Sequence, residues 1–81
     1  QIRAIMKAYY EGLAQLLPEY ERLEINYDQE VEMIEITTDD VMIHSDTAAR
    51  IYAYCSKHGL RCWIGYSHAR QQIKLGILKD I

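Results

Sequence analysis

No phenylalanine occurs in this 81-residue chain, proline occurs once, glycine four times and cysteine twice. Each scarcity excludes something. With so little Pro and Gly, and with 49% hydrophobic against 26% charged residues, the chain is not collagen-like, low-complexity or disordered. Two cysteines are too few for the dense disulfide framework of a small secreted scaffold. No apolar run approaches the roughly 18 to 20 residues of a membrane span, and the amino-terminal stretch is broken by Arg3, Lys7, Glu11 and Gln15. A soluble, cytoplasmic protein with reduced thiols is the expectation. The chain begins at Gln1 without an initiator methionine, so upstream residues, a cleaved signal among the options, are expected to have preceded it.

What is present points to one small domain over residues 1–81. A core of this size stabilises the fold only marginally unless it packs well or the chain associates. The net charge of −3 conceals a division. Residues 1–40 carry ten carboxylates against three Lys and Arg, while residues 41–81 carry six Lys and Arg against two carboxylates. Such asymmetry suits a charged partner, or two halves that neutralise each other when folded together.

Ile2, Ile5, Met6, Tyr9, Leu13, Leu16 and Leu17 recur at helical spacing, predicting a helix over about residues 2–16 that Pro18 stops. Gly12 inside that pattern fits either a close backbone contact or mere tolerance. After Pro18 the period becomes two. Leu23, Ile25 and Tyr27 share one strand face, Asp28-Gln29-Glu30 reads as a turn, and residues 31–37 form a second strand with Ile34 and Ile36 inward. Met33 then falls on the opposite face. Thr38-Asp39-Asp40 is a polar turn and residues 41–44 a short third strand.

Ser45 or Asp46 suits the N-cap of a second helix, with Ala48, Ile51, Tyr52 and Cys55 inward and Gly59 ending it. Leu60, Cys62, Ile64 and Tyr66 alternate with Arg61, Trp63 and Gly65 in the next strand, and residues 72–78 supply the last. The fold class is α+β: two helices packed on a mixed, mainly antiparallel sheet, in the order α-β-β-β-α-β-β. The strand ending near His44, the second helix and the strand from Leu60 read as a crossover unit with those strands parallel. The final strand is then an open edge.

This topology places His44 and Ser45 at a strand's carboxyl end beside a helix N-terminus, with His68 and Arg70 arriving from the neighbouring strand. That edge is a candidate site for a small ligand or anion. Asp46 opposes an anion there, and a structural loop with an N-cap explains the same residues. A Ser-His-Asp constellation or a metal held by His44, His68 and Asp46 lacks any specific motif, so no catalytic residue and no metal ligand are assigned. Cys55, His58, Cys62 and His68 have zinc-ligand chemistry, but the strand carries His68 about 13 Å beyond Cys62. The cysteines read better as small core residues that can be oxidised if close.

The third pattern is aromatic. Seven tyrosines and one tryptophan accompany the absent phenylalanine, and Trp63 lies beside Arg61 on the strand face away from the expected core. Nucleic-acid stacking ranks last among the readings, because no RNP-type motif occurs and the chain is acidic. Trp and Tyr also favour protein interfaces. The leading expectation is a non-enzymatic interaction or self-association domain, a homodimer or a complex with another protein, without cofactor, using Trp63 and Arg61 or the final strand's edge.

Overall fold

The computed structural model describes residues 5–18, 22–40 and 42–79. Six elements follow in order: α1 (Ile5–Ala14), β1 (Leu23–Asp28), β2 (Met33–Thr38), α2 (Ser45–Lys57), β3 (Leu60–Ser67) and β4 (Gln72–Lys79). The α+β class holds, with one strand fewer than the sequence suggests. Residues 42–44 are irregular, and Val41 lies outside the described residues. Met42 and Ile43, the two described residues ahead of the helix cap His44, are too short a run to claim a place in the sheet.

The sheet is antiparallel throughout, in the order β1-β2-β4-β3. β4 is antiparallel to both β2 and β3, so those two run in the same direction with β4 between them. The crossover through α2 therefore joins parallel strands that are not neighbours. This corrects the expectation of an adjacent parallel pair, and it moves the last strand from the edge to the interior. The edges are β1 and β3.

Period-two alternation sorts the side chains by face. Leu23, Ile25 and Tyr27 pair across to Thr38, Ile36 and Ile34, which pair in turn to Ile73, Leu75 and Ile77. Both helices lie on that face. α1 sits over β1 and β2 and α2 over β3, and Met6, Leu13, Ile51 and Cys55 join Ile34, Ile36, Leu60, Leu75 and Ile77 in one buried cluster. Among the described residues, no element covers the opposite face.

The helix boundaries have local causes. α1 closes at a turn in which Leu16 N–H donates to the Leu13 carbonyl at 2.9 Å, four residues before Pro18; residues 2–4 of the expected helix lie outside the described set. α2 is capped by His44, not by Ser45 or Asp46, and its first bond runs from Ala48 N–H to the His44 carbonyl at 3.0 Å. It ends where Gly59 takes φ 66°, the left-handed conformation that glycine adopts without steric cost. Lys79 Nζ donates to the His58 carbonyl at 3.4 Å, placing a cation at the negative end of the helix.

The two helices touch through Gly12. A β-carbon there would overlap the Tyr54 hydroxyl, which donates to the Tyr9 carbonyl at 3.4 Å. The close-contact reading of Gly12 is thus the correct one. Burial pushes the Tyr54 phenol above its ordinary value, and His58 packs at 4.4 Å centroid distance from the Tyr54 ring and 5.4 Å from that of Tyr9. The inward stripe of α2 is Thr47, Ile51 and Cys55 with Tyr54 half-buried, whereas Tyr52 points outward. Tyr54 takes the inward place because α1 offers it a glycine.

Candidate functional site

Among the described residues no strand pairs with the outer edge of β3, and the strand carries exposed apolar side chains on both faces. Its inner residues begin covered, Leu60 buried and Cys62 half-buried beneath the later turns of α2, and then emerge: Ile64 is 61% and Tyr66 54% exposed. The reason lies in the helix. Ser45, Ala48, Ala49 and Tyr52 follow helical spacing along the flank of α2, and the first three are too small to reach across the strand. They leave an apolar groove of about 340 Å³ floored by Ile64 and Leu75. Tyr52, 59% exposed, forms its far wall.

On the open face, Trp63 stands directly opposite Gly76 of β4. A β-carbon at position 76 would overlap the indole, so the ring lies flat on the strand and buries Gly76 while remaining 43% exposed itself. Glycine is required here for a close approach rather than for an unusual torsion angle. Arg61 precedes the tryptophan on the same face and is the only charged residue in β3.

Of the other expected site residues, Ser45 lines the apolar groove on the helix side, whereas Arg70 lines a polar groove on the open face. That second depression, about 420 Å³, is walled by Glu35, Thr37, Ser67, Arg70, Gln72 and Lys74. Lys74 Nζ lies 3.1 Å from Glu35 Oε2, and Gln72 Nε2 donates to Asp39 Oδ1 at 2.9 Å. Glu35 thus offsets Lys74, and Arg70 leaves the lining with one positive charge in excess. Arg70 N–H donates to Ser67 Oγ at 3.3 Å, closing the turn from which exposed His68 sets its ring edge-on to Tyr66, 5.0 Å away. His44 is exposed at the N-cap of α2.

The four residues with zinc-ligand chemistry are not gathered. His58 stacks among tyrosines at the carboxyl end of α2 while His68 follows the far end of β3. Among the described residues, no group of three or more His, Cys, Asp and Glu side chains is placed to hold a metal ion. Cys55 and Cys62 do come together: both are free thiols, and both line one cavity between α2 and β3.

Sequence reasoning singled out Trp63 and Arg61 but missed Tyr52, Ile64 and Tyr66. Alternation placed Ile64 and Tyr66 inward, which is true of their direction but not of their burial. The signal was the run of small residues at 45, 48 and 49. No protein-family model, curated protein or solved structure matches the chain.

Proposed function

We propose that this domain is a self-association module in which two copies pair β3 against β3 across a two-fold axis, extending each four-stranded sheet into the other. The observation that carries the reading is the coincidence of an unpaired strand edge with exposed Trp63, Ile64, Tyr66 and Tyr52 around it. An open edge offers backbone donors and acceptors to another strand, and apolar residues above and below it give the added strand something to bury. The sequence of β3 suits a second copy of itself. An axis through Ile64 sets Arg61 opposite Ser67 of the partner subunit, so the strand's one charge never meets its own image. Tyr52 and the apolar groove then become continuous across the axis.

Sedimentation equilibrium tests this. A dimer in the micromolar range that persists at about 0.5 M salt supports an apolar strand-edge interface, because salt screens exposed charges and not buried apolar contacts. A monomer at both low and high salt removes the reading; a dimer that dissociates with salt points to attraction between the oppositely charged halves instead. The small-anion alternative now rests on Arg70 and Lys74 in the polar groove, with Glu35 neutralising much of their field. Phosphate-induced NMR shifts at Ser67, Arg70 and Gln72 would support it.

A further inference from the structure

Cys55, on the buried side of α2, and Cys62, on β3, face each other across the seam between helix and strand, where both line one cavity. That cavity, of about 360 Å³, is lined by Tyr52, Cys55, Ser56, Leu60 and Cys62. The two thiols are unequal. Cys55 is 3% exposed, whereas Cys62 is only half-buried. We infer that the pair is a thiol–disulfide exchange site, in which Cys62 attacks a low-molecular-weight disulfide admitted by the cavity and Cys55 resolves the product.

The interaction of the two thiols pushes Cys55 above its ordinary value, as burial also does, and pushes Cys62 below its own, although burial opposes the second effect. The more exposed Cys62 is the attacker, because the nucleophilic thiolate must be reached by the incoming disulfide. The Cys62 thiolate bonds to one sulfur of RS–SR and the S–S bond breaks, releasing RS⁻. Cys55 sulfur then attacks the Cys62 sulfur. The bond from Cys62 to SR breaks, the Cys55 proton passes to the departing sulfur, and RSH leaves. The two cysteines lose two electrons in forming their bond, and the small disulfide gains them in becoming RS⁻ and RSH.

The test uses oxidised glutathione and dilute folded protein, with acid quenching and mass spectrometry of the intact chain and its peptides. The wild type is expected to lose two hydrogens through a bond between peptides containing Cys55 and Cys62, without a lasting adduct. Cys55→Ser is expected to retain one glutathione at Cys62, and Cys62→Ser to react at Cys55 at least about tenfold more slowly, as a buried thiol should. Stable adducts on both wild-type cysteines, equal rates in the two variants, or a disulfide between chains would overturn the assignment. Should Cys55→Ser fail to fold, a brief pulse of iodoacetamide on the native wild type decides the order: Cys62 alkylated first supports the site, and equal alkylation removes it.

Discussion

The two edges of the sheet are built from opposite choices. β1 is short, presents Glu24, Asn26 and Asp28 on the open face, and has α1 above it, with Tyr10 stacked on Tyr27 at a ring separation of 6.0 Å. β3 is longer, has one charged residue, and extends beyond the reach of its helix. Acidic side chains and a covering helix are the usual ways of stopping a strand from recruiting another. One edge has both, and the other has neither along its second half. In a chain whose small core gives little stability to spare, the difference teaches that the uncovered edge is where a partner adds most.

That contrast can be broken from the β1 side. Leu13 is fully buried, and Leu13→Ala should destabilise the fold by about 2–5 kcal/mol through lost burial and the cavity left behind. With α1 loosened, β1 also loses its cover, so denaturant unfolding should report the stability loss and light scattering a new tendency to aggregate. Ile64→Lys sharpens it from the other side. The side chain is mostly exposed in the single copy, so monomer stability should barely change, while association weakens by about 2 kcal/mol or more, roughly 30-fold in Kd. Asn26→Lys on β1 is the matched control and should leave sedimentation unchanged.

A smaller effect separates the two faces of β3. Gly76→Ala forces the Trp63 indole off the strand at a cost of about 1–3 kcal/mol, and the chain's single tryptophan reports the displacement as a red shift in its emission. If association depends on the groove rather than on the indole, Gly76→Ala should weaken folding more than dimerisation.

The smallest effect lies on β1. Tyr27 donates its hydroxyl to Glu32 Oε2 at 2.6 Å, and that bond, with some burial and the carboxylate's charge, raises the phenol from 10.0 to about 12. Ionising the phenol would break the bond and set two negative charges together. A folded-state value above the unfolded one stabilises the protein fully below about pH 10, and that contribution is lost as pH rises from there to about 12. Tyr27→Phe should therefore remove the latest step from an absorbance titration and make alkaline unfolding less steep.

Alternation made the strand faces legible, because it depends only on the backbone, and the glycine ending α2 was legible for the same reason. Strand order was not. It depends on pairings such as Ile34 with Ile77, which no local pattern announces. One signal was nevertheless available in β4: after Lys74 no polar residue appears until Lys79, and Leu75, Gly76 and Ile77 are buried in succession. Loss of alternation marks a strand covered on both faces, here by helix side chains and by the indole of Trp63. The inward stripe of α2 was legible at Ile51 and Cys55 but took Tyr52 for Tyr54, because the two are chemically alike and only the gap at Gly12 distinguishes them. The approach of Cys55 to Cys62 was expected only conditionally, since it requires helix and strand to be laid side by side.

β4, the interior strand that joins β2 to β3, is the last of the six elements to leave the ribosome. Until it arrives, the β1–β2 hairpin and the α2–β3 segment share no strand pairing among the described residues, and each presents an open edge to its surroundings. Contacts some forty residues apart, as between Ile34 and Ile77, must then form together. A nascent chain stopped before Gln72 is thus two unjoined pieces and not a smaller version of the fold.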